Sequence, residues 1–332
     1  MHYLLTGATG FVGGRLLGKL RGRGDQVTAL VRSLERARHL EAPGVRLMHG
    51  DITDRASLAP AMAGVDGVFH VAGWYEVGLN KPDLARRINV DGTRNVLETM
   101  AELGIPKGVY TSTLAVNSDT RGQVMDENYR FAGEHVSVYD RTKWQAHVQV
   151  AEPMMEAGLP LVIVQPGLIY GPGDASPSGR ALIDWLRGDL PALPTRAAYC
   201  WAHVDDVADG HLLAMDRGRA GQSYIIAGPC HTLIEGFEIA EQVFGIPAPR
   251  MRLPARLLRA LSVPMSLLDA WLPIPPRYTG EALRVQGGVT YLGTNRKAHQ
   301  ELGYQPRPLA QGLRDSAGYY CRAAGLAPPD PD

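Results

Sequence analysis

Cysteine is scarce in this chain: Cys200, Cys230 and Cys321 are the only three in 332 residues. They are odd in number, far apart and without paired spacing, which argues against a disulfide framework and points to a reducing compartment. Excess charge is missing as well. Lys plus Arg and Asp plus Glu each number 34, and neither sign collects into a long block, so no nucleic acid is expected as a partner. A leader is also wanting: from Met1 the chain runs into an apolar strand pattern, with neither a basic segment nor a small-residue cleavage site. No signal peptide is expected, and the expected location is cytoplasmic. Nor is there an unbroken apolar run. The most lipophilic late stretch, residues 253–274, is interrupted by Pro254, Pro264 and Pro273 and carries Arg256, Arg259 and Asp269, so it does not read as a transmembrane segment. A lid, a subunit interface and a peripheral membrane contact stay open for it, as does a homodimer for the chain. No solenoid repeat is visible.

What is present begins with rhythm. The first half alternates short apolar runs with longer amphipathic ones, the mark of repeated strand-helix units and a parallel sheet. Strands are expected at 3–5, 26–31, 45–48, 67–71, 108–111 and 161–165. Helices are expected at 11–20, 56–62, 84–103 and 138–157, where apolar residues recur every three or four positions. After Pro166, prolines and glycines punctuate shorter elements, with helices at 203–215 and 232–244 around a strand at 224–227.

The first strand ends in Thr6-Gly7-Ala8-Thr9-Gly10-Phe11-Val12-Gly13 and leads into an amphipathic helix. Strand, phased glycines and helix together are the context that a dinucleotide-binding turn requires. Gly7 permits the tight turn, Gly10 lets backbone approach a pyrophosphate, and Gly13 lets the helix pack closely, while the helix N-terminus offers unpaired N–H groups to the anion. A turn that needs glycine for geometry alone is the competing reading, disfavoured by three correctly phased glycines. With its letter-for-letter TGxxGxxG, the chain resembles the extended branch of the short-chain dehydrogenase/reductase superfamily, within the NAD-dependent epimerase/dehydratase family. Thr6, Gly7, Thr9, Gly10, Phe11, Val12 and Gly13 are thereby candidate cofactor contacts. The expected fold is α/β, a Rossmann-type doubly wound parallel sheet with a smaller C-terminal substrate-binding region. Residues 1–170 and 199–228 form the NAD(P)-binding domain, 171–198 and 229–325 the substrate region, and 326–332 a frayed tail.

An NAD site places a carboxylate at the end of the second strand to hold both adenosine ribose hydroxyls. Val31 stands there instead. Arg32 follows, and its guanidinium can pair with a 2′-phosphate and stack on adenine, with Arg36 and Arg38 as auxiliaries. NADP(H) is therefore the preferred cofactor and NAD(H) the second choice; a merely solvated arginine is the plain alternative. The resemblance adds Asp51 and Ile52 as an adenine-contacting pair, and Val71, Ala72 and Gly73 beside the cofactor ribose. It also adds Pro166 and Ile169, in the segment that meets the nicotinamide carboxamide, although Gln165 replaces the arginine usual before that proline. A turn or cap at Asp51 and close packing at the small residues are the plain readings.

Tyr139 and Lys143 lie four apart in a helical stretch, so they share one face. A free phenol titrates near about 10, too high to exchange protons readily at neutrality, and a nearby ammonium favours the phenolate. Lys143 can supply that charge while holding ribose hydroxyls. Tyr110-Thr111-Ser112-Thr113 ends the fifth strand with three hydroxyls in a row. The resemblance selects Thr113 to bond the substrate oxygen, with Ser112 as runner-up, against a role in capping strand-end backbone. Asn89, in Asn89-Val90-Asp91-Gly92-Thr93, matches a family segment near the active site. Trp74, Tyr75, Trp185, Tyr199 and Trp201 point to an apolar or aromatic substrate, or simply to core area. His203, Asp205, Asp206 and His211 match no metal-site spacing and helix capping explains the acids, so no metal is expected.

Four functions compete. Reduction of a ketone or aldehyde by NADPH, with Tyr139 as the acid, leads, because the pattern with Val31-Arg32 looks most like the branch of dihydroflavonol reductases and bacterial ketone reductases. A sugar-nucleotide epimerase or dehydratase with a retained NAD comes second. Family dehydratases carry an acidic pair after the catalytic Thr, whereas Leu114-Ala115 follow Thr113. A steroid or sterol 3β-hydroxy dehydrogenase is third. The fourth is a non-catalytic NADP-binding redox sensor, whose kind commonly lacks the tyrosine.

Overall fold

The computed structural model describes residues 1–76, 78, 81–268, 271 and 279–327. Residues 269, 270 and 272–274 of the late lipophilic stretch and 328–332 of the expected frayed tail lie outside the described residues. In the first half, β1 (His2–Thr6), β2 (Gln26–Val31), β3 (Val45–His49), β4 (Gly67–His70), β5 (Gly108–Thr111) and β6 (Leu161–Pro166) alternate with helices. They are followed by β7 (Leu168–Tyr170), β8 (Ala192–Pro194), β9 (Ala198–His203), β10 (Gln222–Ile226), β11 (Cys230–Thr232), β12 (Met251–Leu253) and β13 (Thr290–Tyr291).

Seven strands form one sheet in the order β10-β6-β5-β4-β1-β2-β3, every pairing parallel. A parallel sheet is covered on both faces, which is why β4 and β6 are buried at every position and read as continuous apolar runs. On one face, Leu16, Leu17 and Leu20 of the Phe11–Gly22 helix join Val207 and Leu212 over Leu5, Ala29 and Val164. On the other, Leu58, Val96, Met100 and Val150 cover Leu4, Val68 and Ile163. Each such side chain contributes roughly 1.5–3 kcal/mol on full burial, so the strands that carry the crevice are firmly held. Strand order reverses between β1 and β4, and ligand crevices of doubly wound sheets open beyond the strand ends at that point.

The expected helices 84–103 and 138–157 are each interrupted by a wide π-type turn, at Arg87–Asp91 and His147–Ala151. Asn89 and His147 lie in these turns, buried and hydrogen-bonded. Apolar periodicity does not register one inserted residue.

In the second region, β9 joins β7, β11 and β13 in a small sheet, and β8 pairs with β12. Of the 199–228 stretch grouped by sequence with the main sheet, β10 enters that sheet and β9 does not. Helices Pro177–Leu186, Leu233–Phe244 and Leu309–Ala324 enclose a second core around Tyr170, Trp185, Trp201, Phe237 and Tyr320. Trp185 and Trp201, each 2% exposed, belong to that core and not to the wall of a cleft.

Cys200 and Cys230 overturn the cysteine expectation. They are direct partners in the antiparallel β9–β11 register and form a disulfide, with Cα atoms 3.8 Å apart, which leaves Cys321 as the free thiol. Strand register brings together two residues 30 apart in sequence, where local spacing gave no sign of it. The cysteines therefore carry no argument for a reducing compartment. Among the described residues, no helix is long and apolar enough to cross a membrane.

Candidate active site

Gly7 sits at φ +79°, in the left-handed region, and a Cβ there would stand 2.7 Å from the Ala72 nitrogen at the exit of β4. At Gly13 a Cβ would lie 2.1 Å from the Gly7 carbonyl oxygen, so the helix start nests against the turn. Thr6 fastens the two strand ends. Its buried hydroxyl accepts from the Val71 and Ala72 N–H groups, both at 3.2 Å, and lies 2.9 Å from His70 Nδ1. Thr9 and Gly10 are exposed at the mouth, while Phe11 and Val12 are half-buried. Gly10 leaves the helix without a side-chain cap, and the first turn holds no acid. A cradle too tight for a Cβ, bare N-terminal N–H groups and no competing carboxylate fit a pyrophosphate.

Around this turn, Arg32 beyond β2 is exposed, as are Arg36 and Arg38, and no described carboxylate pairs with any of the three. Asp51 Oδ1 accepts from the Thr53 N–H at 2.8 Å and the Thr53 hydroxyl at 2.9 Å, forming an Asx turn, and Ile52 is buried against Gly92. Gly73 is exposed; a Cβ on it would come within 3.3 Å of Asn89 Oδ1 and 4.0 Å of Lys143 Nζ. Pro166 ends β6 in a buried position, and Ile169 of β7 packs on the main core. At Gly173 a Cβ would stand 3.6 Å from the Phe11 ring, so the loop after β7 meets the glycine turn.

Ser137 starts the helix Val138–Ala146: its hydroxyl accepts from the Asp140 N–H and donates to Asp140 Oδ1 at 2.7 Å. Tyr139 is half-buried, and the Thr113 hydroxyl accepts from the Ala115 N–H at 3.1 Å. Ser112 turns the other way, its hydroxyl 2.7 Å from His147 Nδ1 in the interior. Lys143 Nζ donates to the Tyr110 hydroxyl at 3.1 Å and the Thr111 carbonyl at 2.8 Å. Burial strips water from that ammonium and pulls its pKa down to about 7. Burial also pushes the Tyr139 phenol well up; the Thr113 hydroxyl pulls it back in part, and Lys143, turned to Tyr110 and Thr111, does not. Tyr139 is accordingly a neutral phenol.

The sequence model of the NAD dependent epimerase/dehydratase family matches residues 3–227. The chain belongs to that family. It is 29% identical to sterol demethylase protein B of Methylococcus capsulatus, over 96% of this chain and 98% of that protein. It is 32% identical to a putative dihydroflavonol 4-reductase of Synechocystis, over 96% and 94%. A 4-hydroxy-2-methyl-3-oxo-4-farnesyl-3,4-dihydroquinoline-1-oxide ketoreductase of Stigmatella aurantiaca is 31% identical, over 94% of each chain. The crystal structure of gox2253 has a TM-score of 0.83 and 32% identity, over 98% of this chain and 99% of that one. The protein is an NAD(P)-dependent enzyme of CH–OH and carbonyl chemistry.

In this epimerase/dehydratase family member, aromatic rings gather beside the tyrosine. Tyr75, 50% exposed, packs edge-on against Tyr139 with centroids 4.8 Å apart, and Tyr199 of β9 lies 6.0 Å from Tyr291 of β13. Trp74 is buried, and Asn89 grips its backbone: Oδ1 accepts from the Trp74 N–H at 2.7 Å, while Nδ2 donates to the Trp74 carbonyl and the Thr142 hydroxyl. Asn89 thus ties the β4 exit to the helix Val138–Ala146. Asp140, Glu281 and Tyr291 are the residues that motif reading missed. The Tyr291 hydroxyl donates to Asp140 Oδ2 at 2.7 Å, and burial raises the Asp140 carboxyl to about 7. Glu281, on the helix Gly280–Gln286, accepts from the Val138 N–H at 2.6 Å and the Gly78 N–H at 3.0 Å. Glu281 and Tyr291 carry no local signal, because they reach the site from 143 and 151 residues beyond their partners. The His203 group serves structure: His203 caps the Val204–Arg217 helix, Asp206 pairs with Arg307, and His211 bonds Thr111.

Proposed function

We propose that this enzyme reduces an apolar ketone or aldehyde with NADPH. The observation that carries the reading is the half-buried Tyr139 ring packed against Tyr75, one helical turn from Lys143 and on the same sheet edge as the glycine turn. NADPH, when bound, supplies the hydride. Tyr139 holds the proton that the carbonyl oxygen takes up, and Thr113 offers that oxygen a second hydrogen bond. Lys143, beside Gly73, is placed for ribose hydroxyls. Arg32, exposed, unpaired with any described carboxylate and next to Val31 where an NAD site holds an acid, favours a 2′-phosphate. The names of the ketoreductase and sterol demethylase relatives, with their farnesyl and sterol compounds, support an apolar substrate.

Mass spectrometry of small molecules released from the purified protein tests the reading against the epimerase alternative. Bound nucleotide that exchanges with added NADPH is expected; NAD retained in one-to-one ratio through dialysis would refute it.

A further inference from the structure

The helix Ala255–Leu268 buries Leu258 and Ser262 and leaves most of its other apolar side chains outward. Ser262 is buried, its hydroxyl donating to the Arg259 carbonyl, and Ser266 bonds Ser262 and accepts from Arg284. A Cβ on Gly280 would stand 1.9 Å from Ser266 Oγ, so these small residues let the helix press on Gly280–Gln286. Outward, Leu257, Leu261, Val263, Leu267 and Leu268 are 44% to 69% exposed, and Trp271 just beyond is 87% exposed. A helix in water normally points its leucines inward and its serines outward, and contiguous exposed apolar surface marks an interaction site. Exposed Arg256 and Arg259 share the helix, the latter 3.9 Å from Asp119, and no carboxylate occurs from Ala255 to Leu268, Asp269 being the one acid in sequence before Trp271.

We propose that this face docks on an anionic lipid bilayer, with the leucines and Trp271 at the acyl boundary and the arginines on headgroup phosphates. Charge decides between a bilayer and a second copy of the chain. Two-fold pairing through one face sets like patches together, which gathers the arginines with no acid on the helix to pair them, whereas anionic headgroups complement them. The docking goes beyond the catalytic reading and is measurable without any substrate.

Flotation of the full-length protein with phosphatidylcholine vesicles, with and without phosphatidylglycerol, tests it. The protein is expected to float with the anionic vesicles and less so in high salt. Its tryptophan emission is expected to shift to the blue on binding, a shift lost in Trp271→Phe. Leu257→Asn with Leu267→Asn, exposed changes whose fold is checked by circular dichroism, are expected to weaken partitioning by about tenfold or more. Arg256→Glu with Arg259→Glu is expected to abolish the preference for anionic vesicles. Protein that stays below the anionic vesicles, or floats equally after the leucine changes, overturns the proposal. So does a dimer in sedimentation velocity that the leucine changes dissolve.

Discussion

Thr113 and Ser112 are neighbours with the same functional group, yet they face different chemistry, because His147 captures the Ser112 hydroxyl while that of Thr113 takes the Ala115 N–H. Tyr139→Phe is expected to lower kcat by on the order of a hundred- to ten-thousand-fold while leaving NADPH titration unchanged; undiminished turnover would remove its role as acid. Arg32→Ala is expected to raise the NADPH KM by about tenfold or more, the scale of a charge-assisted contact, and to leave the NADH KM alone. Equal changes for both cofactors would remove the 2′-phosphate assignment. Lys143 titrates near 10.5 when unfolded and about 7 in the fold, so between those values the unfolded chain holds the extra proton and stability rises with pH. The difference in unfolding free energy between wild type and Lys143→Met should therefore move in favour of wild type from pH 7 to 10 in denaturant titrations. A flat difference would contradict the buried ammonium. The glycines were legible in sequence because their constraints are local, a positive φ at Gly7 and a close approach at Gly13. Which hydroxyl of a run turns inward depends on packing partners far along the chain, and sequence left that open.

At the scale of elements, the strands of the main sheet were readable because burial on both faces leaves uninterrupted apolar runs. The π-type turns were not, and they matter: Asn89 and His147 lie in them and fasten the helix Val138–Ala146 and its continuation to the β4 and β5 exits. The helix Gly280–Gln286 acts on the same assembly through Glu281, whose carboxylate accepts an N–H from each side of the site, Val138 and Gly78. Glu281→Ala is expected to lower kcat several-fold, by loosening the start of the catalytic helix, with little change in cofactor affinity. A changed NADPH affinity with unchanged kcat would contradict that placement. Hydrogen-exchange mass spectrometry of the variant should show faster exchange at the Val138 amide.

For the whole molecule, the doubly wound sheet brings the turn after β1, Arg32 after β2, Gly73 after β4 and Thr113 after β5 to one edge, although they span more than a hundred residues of sequence. The second region was legible only in outline, because its short strands pair across distant segments and their register is set by tertiary packing. Cys200 and Cys230 show this most plainly: thiol alkylation of the unreduced, denatured chain is expected to label Cys321 alone, and three labels would contradict the pairing. The central claim, that this site delivers hydride and a proton to an apolar carbonyl, is met most directly by following NADPH oxidation over a panel of hydrophobic ketones with product analysis. The expected result is alcohol formed in equal amount to NADPH consumed, with kcat/KM at least about tenfold above that with NADH. Absence of any NADPH-dependent reduction, together with interconversion of a sugar nucleotide by a retained NAD, would contradict it.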